Sequence, residues 1–459
     1  MLPNPFRRSN HPATVALALA FLAGAPGAPG PLGASSALAA DAGAAGGAPA
    51  PLTLDAVLRD VSASNPTLAA RRAMTAAAEE RSRSAGAWEP PMLEFGVVNL
   101  PTSWNFNEDE MTMKMIGVAQ RIPLFGPKKY ESRAADEAAV AEGSASAGAH
   151  LELFGSAIEA YADAYYALER AREAARHESV MARFVESAMA RYRSGNGRLD
   201  DVLRAQAEQA RVRAEGAGFQ SDAERALARL GALRGLRFEG GTPTLAPPPD
   251  LPVPPDPSTW IAAAADDHPR VQEAEARERG YEMSARASSR TDWPDLEVRA
   301  SYGVRGHDAM GMELSDMVTA TVGVTLPIFS GSREGAMANE MHAMSRAAGA
   351  EKEEAALDLA RMARTLHAEA VASSRMVALL ADTVVTTQSR AVEASWSAYS
   401  AGSVDLWRVF DANHALYTDD LALLDARRML ARAQGELVAL TGRGDLAGVA
   451  LPEIRRDER

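Results

Sequence analysis

The histidines are the first place to look for chemistry, and their spacing offers none. The eight are scattered. His367-Ala368-Glu369, and His342 beside Met341 and Met344, come nearest to ligand clusters. Neither supplies a ligand set at helical i, i+4 spacing, which a helix-borne metal site uses. Cysteine is absent, which removes disulfides, thiolate metal sites and thiol nucleophiles together. The chain also shows no glycine-rich phosphate loop and no nucleophile elbow. It is therefore read as a non-enzyme that needs no cofactor. One pattern remains, Met111-x-Met113-x-Met115. Thioethers suit Cu(I), but on an alternating strand these three share the face opposite Lys114. That favours apolar filler, turned to lipid or to a neighbouring strand, over a ligand set.

With no reaction centre, the elements carry the argument, and they come twice. Asn65-Pro66-Thr67-Leu68 recurs as His268-Pro269-Arg270-Val271, at an offset of 203 residues. Pro91-Met92-Leu93-Glu94-Phe95 recurs as Pro294-Asp295-Leu296-Glu297-Val298 at the same offset. Ile122-Pro123-Leu124-Phe125-Gly126 returns as Leu326-Pro327-Ile328-Phe329-Ser330 at 204, and Tyr192-Arg193-Ser194-Gly195 as Tyr399-Ser400-Ala401-Gly402 at 207. Such a period is a duplicated domain, well beyond the ~20–50 residues of solenoid repeats. The expected division is a first repeat over 52–239, a proline-rich connection over 240–257, a second repeat over 258–442 and a tail over 443–459.

Ahead of the repeats, 1–39 reads as a signal peptide and 40–51 as a linker. Arg7 and Arg8 precede the apolar run Val15 to Leu22, and Ala37-Leu38-Ala39 offers a small-x-small cleavage site. A membrane anchor fits less well, because proline and glycine break the run from Gly24 onward, short of ~20 apolar residues. A lipid anchor would need the missing cysteine. The expectation is export, with no apolar run of spanning length left in the mature chain. A formal net charge of −13 argues against a nucleic-acid partner.

Each repeat opens with helix and then changes period. Phe154, Ile158, Tyr161, Tyr165 and Leu168 step by four and three, the spacing of a coiled-coil seam. A helix from Lys128 to about Ser194 would run roughly 100 Å at ~1.5 Å per residue, too long for a compact globule. Glycine-rich turns near 195–197 and 401–403 then imply antiparallel helical hairpins over 128–234 and 334–440. In each half the opening and return helices together match the long helix, so they could stack end to end beside it.

Between opening and long helices lie period-two segments, about 92–100 and 111–122 in the first repeat and about 295–305 and 317–327 in the second. Leu296, Val298, Ala300, Tyr302 and Val304 alternate with Glu297, Arg299, Ser301, Gly303 and Arg305. Nine to eleven alternating residues suit a transmembrane barrel strand, and equally a half-buried sheet in a soluble domain. Export and the long polar loops favour the barrel. Four strands cannot close one, and lipid does not tolerate an open edge, so the membrane reading demands an oligomer. Three chains would give twelve strands, enough to leave a hollow interior.

The duplicated unit of helix, β-hairpin, long helix, glycine turn and return helix resembles the TolC-type outer-membrane efflux channels over essentially the whole mature chain. The carriers are Leu52-Thr53-Leu54-Asp55-Ala56-Val57-Leu58 with Asn65-Pro66-Thr67-Leu68, and the strand exits Gln120 to Lys129 and Thr325 to Phe329. The third is Tyr192-x-x-Gly195 leading to Asp201-Val202-Leu203, with Tyr399-x-x-Gly402 leading to Val409-Phe410-Asp411. The resemblance implies a mainly α fold with a trimeric twelve-stranded outer-membrane barrel on a helical periplasmic tunnel. It also implies a homotrimer that meets outer-membrane lipid, a periplasmic adaptor and an inner-membrane pump of the resistance-nodulation-division type. Drugs or metal cations would pass through passively, and Gly126-Pro127-Lys128-Lys129 looks like the heavy-metal branch. Carried over by motif, Asp201, Tyr399 and Asp411 match the gate region. Arg408 departs from the acid that familiar members carry nine residues after the tyrosine, which would give a mixed-sign ring. Solvated helix-end charges are the plainer reading of these groups. Gly195, Asn196, Gly197, Gly402 and Ser403 are the expected adaptor contacts, and also plain hairpin turns. A periplasmic coiled-coil adaptor is the alternative for the whole chain.

Overall fold

A computed structural model describes residues 51–236, 243–249, 256–266, 268–291, 293–307, 310–325 and 330–442. The expected signal peptide and tail, and much of the proline-rich connection, lie outside the described residues. Helices α1 (Leu54–Ser64) and α2 (Pro66–Ala85) meet at Asn65, whose side chain accepts from the Thr67 amide while Pro66 fills the first turn of α2. Strands β1 (Met92–Val98) and β2 (Met113–Ile122) follow, then α3 (Pro127–Arg193) and α4 (Leu199–Leu233). The second repeat runs α5 (Ser258–Asp266), α6 (Pro269–Thr291), β3 (Leu296–Arg305) and β4 (Met317–Val324). It continues through α7 (Ser330–Leu379), a π-helical segment (Leu380–Val385), α8 (Thr386–Ser400) and α9 (Leu406–Thr441). The opening helix of the second repeat is thus two, broken before Pro269 as α1 and α2 are before Pro66.

Helix α3 has 67 residues, about 100 Å at ~1.5 Å per residue. Its interior carries no proline, and it starts at Pro127 behind Gly126, whose φ is +75°. Both α2 and α4 pack along it. At the α4 end the Asn65 amide donates to the Leu233 carbonyl (2.8 Å) and Arg234 pairs with Asp60 (2.6 Å). Gly235 is obligatory there: its φ is +72°, and a Cβ would lie 2.4 Å from the Ser64 oxygen.

The main core gathers Leu58 and Val61 of α1, Phe154 and Tyr161 of α3, Trp260 of α5, Leu359 of α7 and Leu437 of α9. Burying each such side chain is worth roughly 1.5–3 kcal/mol. Phe154, Ile158 and Tyr161 of the coiled-coil seam are buried, and Tyr165 and Leu168 are half-buried. The Tyr161 hydroxyl lies within bonding reach of the Leu52 and Ala246 carbonyls (2.8 and 2.6 Å), strapping the proline-rich connection to the repeat's start. Where Gly435 of α9 meets α3, a Cβ on it would lie 2.1 Å from the Ile158 Cγ2.

The π segment has no counterpart in the unbroken α3. The offset between repeats grows from 204 at the strand exits to 207 at the turns, and a wider helical turn absorbs added residues without breaking the helix. Contrary to expectation, one stretch within Arg333–Ser400 is apolar and long enough to span a membrane by composition alone. In the fold it belongs to the α7–α8 line, packed along α6 and α9 with Leu357, Met376, Leu379 and Trp396 exposed.

The strands form one antiparallel sheet in the order β1-β2-β3-β4, so β2 and β3 join the two repeats. Within it β1 and β4 each have a single neighbour. Register sorts the faces. Phe95, Ile116, Tyr302 and Val318 stand in one row, and Leu93, Val118, Ala300 and Ala320 in the next. These apolar side chains form an exposed face. The opposite face carries Glu94, Glu297, Arg299, Ser301 and Thr319, with Arg299 bridging Glu297 (2.9 Å) and Glu94 (3.4 Å). Aromatic groups mark both ends of the sheet. Phe125 packs on Trp293 (4.6 Å) at the helix junction, and Trp104 and Phe106 are exposed in the loop between β1 and β2.

The methionine face was misread from sequence. Met111 precedes β2, and Met113 and Met115 stand on the polar face, in register with Arg305 and Gly303. Lys114 takes the apolar face instead. It sits at the end of its strand, its ammonium 5.3 Å from the Phe106 ring, where a long side chain can reach water. Residue type gave the wrong phase because the lysine is a rim residue of the apolar face.

Candidate functional site

The two turns are built alike. Gly195 (φ +77°) donates to the Tyr192 carbonyl and Asn196 to the Arg191 carbonyl. In the second repeat Gly402 (φ +75°) donates to Tyr399 and Ser403 to Ala398. These bonds close the last helical turn, and the positive φ is what glycine supplies. Gly197 is required for another reason: a Cβ there would lie 2.9 Å from the Tyr192 amide nitrogen. Asp405 then caps α9, accepting from the Arg408 amide (3.1 Å), whereas Arg198 gives α4 no side-chain cap.

Above the turns an aromatic cluster holds the hairpins together. Phe184 of α3 packs on Trp396 and Phe410 (5.8 Å each), and Trp407 packs on Phe410 (4.3 Å). Arg191 links the repeats, donating to the Tyr399 hydroxyl (3.3 Å) with its guanidinium 5.7 Å from that ring. Burial alone would raise the Tyr399 hydroxyl, but its bonds to Arg191 and Ser187 outweigh this and hold it below the usual tyrosine range. Arg191 also lines a small cavity of ≈ 70 Å³ with Asp201, Asp405, Trp407 and Phe410.

The residues singled out from sequence therefore divide. Tyr399 bonds to Arg191, and Asp201 lines the same cavity as that arginine. Arg408 and Asp411 are exposed, and among the described residues neither forms an ion pair. Sequence reasoning missed Arg191, whose counterpart across the repeat is Ala398; that charge difference was the available signal. It also missed Trp407 and the cap Asp405.

Two of the scattered histidines meet farther along the same helices. His177 of α3 stacks on Tyr417 of α9 (4.1 Å), and His414 lies 6.1 Å from it with Nδ1 3.6 Å from the Glu208 carboxylate. Tyr417 donates to Glu215 (2.8 Å). Burial, then His414, push the His177 imidazole down to about 4, with Glu208 opposing. Folding thus favours the neutral ring. As pH falls from about 6.5 toward 4 the unfolded ring takes up a proton that the folded one refuses, so stability declines over that window. The expected loss is about 1–2 kcal/mol after solvent screening. His177→Phe, which keeps the stack, should flatten the fall in melting temperature between those pH values; an unchanged slope would place the titration elsewhere.

The outer membrane efflux protein family model matches residues 57–236 and 260–443, one copy on each repeat. No curated protein matches the chain. Among solved structures, the outer membrane protein VceC of Vibrio cholerae is 17% identical, with 85% of this chain and 96% of that one covered at a TM-score of 0.69. The open state of the MtrE outer membrane channel of Neisseria gonorrhoeae is 18% identical, covering 85% and 88% at 0.70. CusC is 15% identical, covering 84% and 91% at 0.70. These likenesses carry the fold, a helical tunnel joined to a barrel sheet, and the two family matches account for most of the chain. The protein belongs to the outer membrane efflux protein family, a family of channels rather than enzymes.

Proposed function

We propose that the chain is the outer-membrane component of a tripartite efflux system, exported by its N-terminal signal and working as a homotrimer. One observation carries this reading. A four-stranded sheet with an apolar outer face and two single-neighbour edges stands at the end of ~100 Å helices. Pairing β4 of one copy with β1 of the next removes every edge, as lipid requires. The exposed apolar residues of α7 and α8 supply a matching surface along the tunnel.

The duct is passive: an inner-membrane pump, of the resistance-nodulation-division type, supplies the energy, and a periplasmic adaptor joins the two. The turns at Gly195, Asn196, Gly197, Gly402 and Ser403 are the tips that such an adaptor reaches first. Asp201, Tyr399, Arg408 and Asp411 form the gate region, with Arg408 and Asp411 as its mixed-sign exposed charges. Drugs or metal cations are the cargo. Membrane fractionation followed by mass measurement in mild detergent tests the reading. An outer-membrane trimer is expected; a soluble monomer would overturn it and return the chain to the adaptor class.

A further inference from the structure

The polar face of the sheet gathers methionines around one glycine at its outer end. Ordered from the helix junction outward, its rows carry Arg121, Glu297 and Gly323, then Met92, Ala119, Arg299 and Thr321, then Glu94, Gly117, Ser301 and Thr319. The next row is Gly96, Met115, Gly303 and Met317, and Met113 follows beside Arg305. Across the strands Met115 meets Gly96 and Gly303, Met317 meets Gly303, and Met113 meets Val98 and Arg305, so three methionines stand around Gly303.

The glycine makes room among the three. Gly303 lies between Met115 and Met317 in the register and leaves a side-chain gap there. Met113 leans into it: a Cβ built on Gly303 would lie 2.5 Å from the Met113 Sδ and 3.2 Å from its Cγ. Met113 of β2 thus reaches the Gly303 position, which Met115 of β2 and Met317 of β4 flank in the register. The nearby cation is occupied elsewhere, since Arg305 donates to the Ser315 carbonyl (2.7 Å) and, more weakly, to that of Glu110 (3.4 Å). Met111, Met310 and Met312 stand exposed in the loops just beyond.

We infer that Met113, Met115 and Met317 form a thioether site for a soft monovalent cation, Cu(I) or Ag(I), on the inner wall near the channel's outer mouth. Neutral sulfur ligands select soft d10 ions over hard or strongly hydrated ones. They also bind without a proton exchange, so the site can release its ion to the outside at any pH. This rests on the channel reading and narrows its cargo to soft metal ions. Met310 and Met312 would accept the ion as it leaves.

Silver(I) is the probe, because it needs no reductant. The full-length protein in mild detergent is equilibrated with silver nitrate in chloride-free buffer, desalted and analysed for metal. The native protein should retain about one silver ion per protomer, as three thioethers around one glycine allow. The combined variant Met113→Leu, Met115→Leu, Met317→Leu should lose it, and Met310→Leu with Met312→Leu should keep it. No retained silver in the native protein, or full retention in the triple variant, overturns the inference. Conductance of the same preparations in planar bilayers separates the two claims. An open pore without silver sinks the site alone, and silver without a pore sinks the channel reading while the site stands.

Discussion

Ala320→Arg abolishes insertion into the outer membrane, while Thr319→Arg, one residue earlier on the same strand, leaves it intact. That is the expected result of a pair of substitutions differing only in which way the side chain faces. Ala320 stands in the row of Leu93, Val118 and Ala300 near mid-strand, on the apolar face. An arginine on the lipid face near the bilayer midplane costs about 2–4 kcal/mol. The proposed trimer repeats the cost three times. Thr319 pairs with Ser301 on the polar face, so an added arginine there meets water. Heat-modifiable mobility of the outer-membrane fraction on gels reads the outcome. Equal behaviour of the two variants would mean that the sheet does not divide lipid from water.

Arg191→Ala should raise the open probability of the reconstituted channel about tenfold. The side chain supplies a hydrogen bond and a cation–π contact to Tyr399, and it stands among Asp201 and Asp405 at the cavity between the hairpins. Loss of one charge-assisted bond and one partly exposed cation–π contact is worth about 1–3 kcal/mol. A shift of 1.4 kcal/mol in a closed-to-open equilibrium is a factor of ten. Tyr399→Phe removes the hydrogen bond but keeps the ring, and should fall between native protein and Arg191→Ala. Single-channel recording checks the order. If both variants conduct like the native protein, Arg191 only packs the tip and the gate lies elsewhere.

Helices and turns were legible because local rules set them. Heptad spacing from Phe154 to Leu168 needs only side-chain period, and Gly195 and Gly402 need only a positive φ. The duplication then supplied the topology. The inner and outer faces of β2 were not legible. A strand's phase is fixed by its partners' register, and Lys114 near the end of β2 reads as polar when its row, Val97 and Val304, is apolar. The clasp at the tip was hidden for a different reason. Arg191 and Tyr399 are 208 residues apart, and nothing in either local sequence says that the hairpins cross there. His177 and His414 were likewise met only through the packing of α3 on α9.

The π segment has a further consequence, one of symmetry. A trimer of duplicated chains presents six hairpins, alike enough above that segment to pass for a sixfold ring. Each residue added to a regular α-helix turns the side chains beyond it by about 100°, and the wider π turn takes back only part of that rotation. The three-residue drift between the strand exits and the turns therefore sets the second hairpin's tip at a different angle from the first. In the proposed trimer the ring below Leu380–Val385 would be threefold, with two kinds of socket in alternation. A partner assembled from six identical subunits must meet both, so half of its contacts are made with a surface that the other half never sees.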